Sequence, residues 1–264
     1  MITCFNYGRF LAEAVGSALG QVGGAPKVVV VDDGSTEPDT IEALERLPPE
    51  VEVLRQERGG VCGARNAGLA RVETPYVMVL DADDRLTPTA LQVLSEPLSR
   101  QPALGFAYGR MRFFGDWEGE LRFPPYDPYA LLYRHTIGLS ALMRRDVVEA
   151  TGGFDPAFTH FEDWELWVNA LEHGWRGLMV DQVTVEYRRH GGTKQAADRR
   201  RYRSMFRALR RKHAALYGAR AELARESPLG AIGKLVYRLY WGARPLPPAV
   251  EGAVYRLRWG ARRP

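Results

Sequence analysis

Two short apolar runs end abruptly on clustered acids, and this arrangement constrains the fold more than any other feature of the chain. Lys27 to Val31 forms a continuous, β-branched run that stops at Asp32-Asp33-Gly34-Ser35-Thr36, and Tyr76-Val77-Met78-Val79-Leu80 stops at Asp81-Ala82-Asp83-Asp84. A strand that is apolar at nearly every position has both faces covered, so each run predicts a strand inside a helix-covered sheet. Helical spacing surrounds them. Phe10, Leu11, Ala14, Val15, Ala18, Leu19 and Val22 predict a helix before the first run, and Pro38 with Ile41, Leu44 and Leu47 predicts one after it. Val51 to Leu54 reads as a third short strand, and Gly59-Gly60 leads into a helix over Ala64 to Val72. Met1 to Cys4 reads as the end of another buried strand, with the N-terminal strand expected to be truncated or its start misassigned.

Strand and helix thus alternate, which predicts an α/β fold with a mostly parallel central sheet flanked by helices. Ligands of such sheets bind beyond the carboxyl ends of the strands. Asn6, the pair Asp32-Asp33 and the cluster Asp81 to Asp84 are all delivered there, so this rim is the candidate site. From about residue 101 the pattern changes to aromatic-rich segments broken by Gly115, Pro124, Pro125 and Pro128.

The acids define the chemistry. Asp81 and Asp83 flank one residue at a strand end and can converge on a hard divalent cation, Mg²⁺ or Mn²⁺, which prefers oxygen ligands. The alternative is an acidic turn capping a helix that starts near Pro88. No Gly and distal Glu stand at EF-hand spacing. Asp32 and Asp33 can accept hydrogen bonds from a nucleoside, with Gly34 allowing close backbone approach, or can equally cap a turn. The stretch Gly59 to Gly68 is glycine-rich but matches neither the P-loop nor the dinucleotide fingerprint. Arg65 within it is suited to a diphosphate, or else is an ordinary surface helix residue. Glu162 and Asp163 open an amphipathic run, where acids complement a helix dipole. The adjacent Trp164 is expected to lower local polarity and raise a carboxyl pKa towards a general base's range. His190 is a candidate metal or phosphate ligand against a plain structural role.

Charge divides the chain. From Arg199 onward 17 Lys and Arg face 3 acids, so the tail is cationic although the whole chain carries only +4. Val236 to Arg244 recurs almost unchanged as Val254 to Arg262, mixing Tyr and Trp with Arg. That composition suits a segment lying at a membrane interface, or an oligomer contact. No nucleic-acid-binding signature accompanies it, so no nucleic acid partner is expected. At 264 residues and 45% apolar content the chain can bury a substantial core, and Cys4 and Cys62 alone cannot form a disulfide framework. No stretch approaches the roughly 20 apolar residues of a spanning helix, and no secretory signal is visible. A cytoplasmic location is expected, peripheral at the inner face of the membrane through 199–264.

Taken in order, these motifs resemble the inverting glycosyltransferases of family 2, which have the A-type nucleotide-sugar-binding fold. The resemblance covers about residues 1–195. Thr3-Cys4-Phe5-Asn6 stands where the family has Pro-Thr-Tyr-Asn, so Thr3 replaces the Pro and Phe5 the Tyr. It implies a catalytic domain over 1–198, with 1–100 as the nucleotide-sugar-binding half, 101–198 as the acceptor-side half and 199–264 as a basic extension. It also implies that Phe5, Asn6, Asp32 and Asp33 serve the nucleoside, and that Arg65 and Asn66 lie near the diphosphate. Asp81 and Asp83 would hold sugar and metal, with His190 on a loop over the phosphates. Glu162 and Asp163 would stand near the acceptor, with Asp163 as base. The implied reaction moves a sugar from a nucleoside-diphosphate donor, expected to be UDP-linked, to a hydroxyl of a glycan or lipid-linked acceptor in cell-envelope polysaccharide or glycolipid synthesis. A non-catalytic nucleotide-sugar or glycan-binding relative is the alternative.

Overall fold

The structure is a computed structural model describing residues 1–24, 26–190 and 195–241. Its first part follows the apolar pattern. Strand β1 (Ile2–Cys4), helix α1 (Gly8–Leu19), β2 (Val29–Asp32), α2 (Pro38–Glu45), β3 (Glu52–Arg55) and α3 (Gly60–Arg71) alternate along the chain. The strand expected over 76–80 forms two pieces, β4 (Tyr76–Met78) and β5 (Leu80–Asp81), because they pair in different sheets. β6 (Arg85–Leu86) and α4 (Ala90–Arg100) follow.

The first sheet has the order β3-β2-β1-β5 with every pair parallel. Val29, Val30 and Val31 are fully buried, as a strand covered on both faces requires. Register sets the site: Cys4 lies opposite Asp32, and Thr3 opposite Asp81. The acids that end β2 and β5 therefore emerge at one edge of the sheet, with Asn6 just beyond β1.

The second part contains strands that the aromatic-rich sequence did not foretell. β7 (Leu104–Gly115), β8 (Gly119–Leu121), α5 (Pro128–Leu131), β9 (Leu142–Arg144), α6 (Arg145–Thr151), α7 (Glu162–Glu172) and β10 (Arg176–Arg189) build a mixed sheet. Its order is β4-β9-β7-β10-β6, with β8 on β7. Only β7 and β10 run parallel there among the described residues, joined from Leu104 and Arg176 to Gly115 and Arg189. Because β10 ends at the same rim, it brings Arg188 and His190 to the acidic cluster.

The polypeptide continues through α8 (Gln195–Lys212), α9 (Ala214–Gly218), α10 (Arg220–Glu226), α11 (Ala231–Val236) and a π-helical turn at Tyr237–Trp241. The boundary expected after Asp198 falls inside α8. Phe206, Leu209, Tyr217 and Leu223 are buried in the same core as Trp164 and Trp167, so these helices pack on the body of the protein. Of the two aromatic repeats, the second lies outside the described residues.

A buried ionic cluster fastens this packing. Glu165, fully buried, receives Lys212 Nζ at 2.7 Å and His213 Nε2 at 3.0 Å on its Oε1. His213 Nδ1 lies 2.5 Å from Glu172 Oε2, and Lys212 Nζ reaches Asp155 Oδ2 at 2.6 Å. Burial pulls the His213 imidazole pKa down, but the two glutamates outweigh it and hold it above the ordinary value. A raised folded-state pKa contributes stability that is present below about pH 6.5 and lost as pH rises through the folded value. His213→Gln should therefore lower the melting temperature more at about pH 6 than at about pH 8.5. Equal losses at the two pH values would show that the imidazole is not held charged.

Candidate active site

The rim is assembled from loops that brace one another. Asn6 has a left-handed backbone (φ 56°), and its Oδ1 accepts from Thr36 N (2.9 Å) and Glu37 N (3.1 Å) at the start of α2. Its own N–H donates to Ser35 Oγ at 3.0 Å. Asn6 thus locks the loop after β1 to the loop after β2, satisfying donors that a helix start leaves free. Asp32 and Asp33 are buried. Asp32 Oδ1 accepts from Ser35 N at 3.0 Å and its Oδ2 pairs with Arg55 Nε at 3.2 Å. Asp33 Oδ1 accepts from Gly59 N (2.7 Å) and Gln56 Nε2 (2.8 Å). Gly34 has φ +73°, and a Cβ there would meet Arg58 N at 2.9 Å, so the close approach it permits is to the neighbouring loop. The Arg58 guanidinium lies 4.0 Å over the Phe5 ring, a cation–π platform at the rim. Nothing in the spacing of Arg58 marked it.

The acidic cluster converges as its spacing predicts. Asp81, Asp83 and Asp84 each offer a carboxylate oxygen, and these atoms lie within 4.8 Å of one another. Burial pushes the Asp83 carboxyl pKa up, and Asp81 beside it adds to the rise. Asp84 is more deeply buried and is raised further for the same reasons, with Asp83 as its main like-charged neighbour. Crowded carboxylates whose repulsion His190 and Arg188 only partly offset, all hard oxygen donors, fit a divalent cation. Asp84 also accepts from Arg188 N at 2.9 Å, and Arg188 Nε donates to Asp83 O at 2.9 Å, which anchors the turn to β10. His190 Nε2 lies 3.0 Å from Asp83 Oδ2, while its buried Nδ1 has no partner among the described residues. The His190 ring sits against Tyr7 and Phe10.

Arg65 is not a surface residue. Only 3% exposed, its guanidinium reaches Asp81 Oδ1 through Nη2 (3.0 Å) and Glu162 Oε1 through Nη1 (2.7 Å). One side chain of α3 therefore joins the acid ending β5 to the first turn of α7, and the expected donor and acceptor acids stand around a common cation. Its Nε has no partner among the described residues. Asn66 turns the other way. Its Nδ2 donates to Phe154 O (2.7 Å) and its Oδ1 accepts from Phe154 N (2.8 Å), clamping the loop at Gly153, where a Cβ would strike Asn66 Oδ1 at 2.5 Å.

Asp163 follows Glu162 at the start of α7. Its Oδ1 accepts from Trp164 N at 2.8 Å, and its Oδ2 faces His135 Nε2 at 3.0 Å. The expectation that Trp164 would raise its pKa is corrected here. Burial does push the carboxyl up, but His135, with Arg65 and the Trp164 amide, outweighs it and holds Asp163 below the ordinary carboxylate range. His135 is raised in turn: burial opposes its charged form, and Asp163 and then Glu162 override it. His135 carried no signal in the sequence, since it lies far from every motif and only the fold brings it to α7.

The parallel sheet and the acids along its rim define an A-type glycosyltransferase fold. The chain belongs to glycosyl transferase family 2, whose pattern matches residues 1–151, and the related pattern of glycosyltransferase-like family 2 matches residues 130–207. It is 37% identical over 108 residues to an uncharacterised glycosyltransferase of Nostoc, a match covering 40% of this chain and 34% of that protein. It is 25% identical over 203 residues to WfaP of Escherichia coli, a UDP-Glc:α-D-GlcNAc-diphosphoundecaprenol β-1,3-glucosyltransferase, covering 74% of this chain and 78% of that one. Among solved structures, a mannosyltransferase of Pyrobaculum calidifontis in complex with GDP-Man and Mn²⁺ superimposes with a TM-score of 0.61. That match has 20% identity and covers 97% of this chain and 79% of the other. The chain spans about a third of the Nostoc protein and 11% of the Pasteurella multocida synthases that it also matches.

Proposed function

We propose that the protein transfers a sugar from a nucleoside-diphosphate donor, UDP-linked, to an acceptor hydroxyl with inversion at the anomeric carbon. The observation that carries this reading is the single Arg65 guanidinium joining Asp81 to Glu162 beside Asp163. It brings together acids far apart in the chain, with Asp163 held ionised beside them. In this reading Phe5, capped by Arg58, gives the base a stacking surface, and Asp32, Asp33 and Asn6 shape the nucleoside pocket. Arg65 and Asn66 fix the geometry behind the diphosphate.

Asp83 and Asp81 would hold a divalent cation, with His190 beside them. When bound, that ion neutralises charge developing on the departing diphosphate. The Mn²⁺ named with the Pyrobaculum structure supports this, and so does the convergence of the three carboxylates. Asp163 removes the acceptor hydroxyl's proton as its oxygen bonds to the anomeric carbon and the bond to the diphosphate oxygen breaks. A single displacement of this kind inverts configuration and needs one base.

A UDP donor and a lipid-linked acceptor are favoured by the activity named for WfaP. A role in cell-envelope polysaccharide or glycolipid synthesis follows from the same likeness. No described helix is long and apolar enough to cross a membrane. In this reading the cationic 199–264 segment contacts the surface that carries such an acceptor. Incubation with a panel of sugar nucleotides and a lipid-diphosphate-linked sugar, followed by mass spectrometry and anomeric analysis, tests the reading. The expected product is glycosylated acceptor of inverted configuration. A retained configuration, or binding of donors without any turnover, would overturn it, the latter in favour of a binding protein.

Asp83→Ala should abolish the increment in donor affinity that Mn²⁺ provides, read by calorimetry with and without the ion. A mutant whose donor binding still rises with Mn²⁺ would remove Asp83 from the metal site.

A further inference from the structure

The C-terminal helices carry two features that the transfer chemistry leaves unused. A cavity of about 250 Å³ is lined by Tyr133, Arg210, Tyr217, Arg220 and Arg238. Arg210 lies over the rings of Phe206 (5.9 Å) and Tyr217 (5.7 Å), and Arg220 Nη1 donates to Tyr217 O at 2.9 Å. None of the three guanidiniums has a carboxylate within ion-pairing distance among the described residues, whereas most arginines of the body do. Three arginines lining one cavity, with no acid among the described residues to neutralise them, match the oxygens of a phosphate group.

Beside it runs an exposed apolar face. Ile232, Leu235, Val236 and Leu239 are 81%, 50%, 41% and 57% exposed, and among the described residues the only other exposed large apolar side chains are Val22 and Val53. Their spacing of three, four and seven places them on one side of α11 and the π turn. Arg238, between Val236 and Leu239, belongs to the cavity wall. The π turn itself is a rare conformation often found at functional sites.

We propose that this cavity binds the phosphate of a membrane lipid while the face formed by Ile232, Leu235, Val236 and Leu239 enters the acyl boundary beside it. An apolar strip flanked by cations is the layout of a helix lying in a bilayer interface. A nucleic acid would leave that strip in water. A row of neighbouring rings also runs from the cavity to Asp163: His135, which faces Asp163, lies parallel to Trp164 (6.3 Å), Trp164 to Phe206 (6.0 Å), and Phe206 meets Tyr217 edge-on (6.2 Å). Docking here would hold Asp163 at a fixed height above the bilayer, where a lipid-linked acceptor presents its hydroxyl. The inference rests on the peripheral-membrane part of the functional reading and adds the residues and the lipid group involved.

The test is co-sedimentation of the full chain with phosphatidylcholine vesicles, with and without phosphatidylglycerol. Binding should require phosphatidylglycerol. The double variant Arg210→Glu with Arg238→Glu should lower the bound fraction about tenfold or more, as expected for losing roughly 1 kcal/mol per basic contact. Leu235→Asp with Leu239→Asp should lower it comparably while keeping the part of calorimetric inorganic phosphate binding that the double arginine variant loses. Failure of wild type to sediment would overturn the proposal together with the membrane reading. Wild-type sedimentation by the arginine variant would overturn the lipid-phosphate site alone, as would loss of RNA binding in that variant with vesicle binding intact. Transfer to a soluble acceptor, measured on the same samples, reports on the transferase reading separately.

Discussion

Replacing Asp163 by Asn should lower turnover by about 10² to 10⁴, the usual contribution of a positioned general base, while leaving donor affinity nearly unchanged. Asn keeps the volume and can still accept from Trp164 N, so the start of α7 should hold. What it loses is the anion that faces His135 at 3.0 Å and that an incoming hydroxyl needs. Because His135 and Arg65 hold the Asp163 carboxyl pKa below the ordinary value, the wild-type base stays ionised through neutral pH. The acid limb of the wild-type kcat/KM profile, which reports the free enzyme, should accordingly lie below the range of a free aspartate, about pH 3.9. Single-turnover rates and donor titrations on both proteins check this. A variant with weakened donor binding and unchanged kcat would assign Asp163 to the donor instead.

The parts of this site that the sequence made legible are those written locally. An unbroken apolar run ending on Asp32 or Asp81 announces a buried parallel strand and what lies at its carboxyl end, because burial and period are properties of a few adjacent residues. The carboxylates of Asp81, Asp83 and Asp84 converge for the same reason: one turn holds them. The pairings that give the site its electrostatics are of another kind. Arg65 and Glu162 are 97 residues apart, and His190 and Asp83 are 107 apart. No periodicity couples such positions; they meet because α3 packs on the parallel sheet and α7 and β10 belong to the mixed-sheet part that folds against the same rim. The same limit explains the helices after Asp198. Their charge made them read as an appendage, but charge describes the exposed face, and the opposite face of α8 sends Phe206 and Leu209 into the core. Asn66 illustrates the reverse case, a polar residue within a site motif whose two hydrogen bonds go to the backbone of Phe154.

Arg65 is where stability and chemistry depend on the same atom group, and its removal should have the largest structural effect of any single change at the rim. Arg65→Ala leaves Asp81, Glu162 and Asp163 without the buried cation that lets them stand together. Breaking a fully buried pair typically costs about 3 to 5 kcal/mol; the Asp81 side chain is 36% exposed and Asp163 keeps His135, so the loss here falls below that range. Arg65→Lys should recover only part of that. A single ammonium cannot present two separated donors to Asp81 and Glu162 as the planar fork does at 3.0 and 2.7 Å. A divalent cation at Asp81 and Asp83 would replace the charge on one side of the gap, so Mn²⁺ should raise the melting temperature of Arg65→Ala more than that of wild type, with a chelator reversing the gain. Melting curves of the three proteins in Mn²⁺ and in chelator decide it. If Arg65→Ala melted like wild type, the guanidinium would not be what holds the donor and acceptor acids together. If Mn²⁺ raised all three equally, the ion would bind somewhere that does not feel the loss of Arg65.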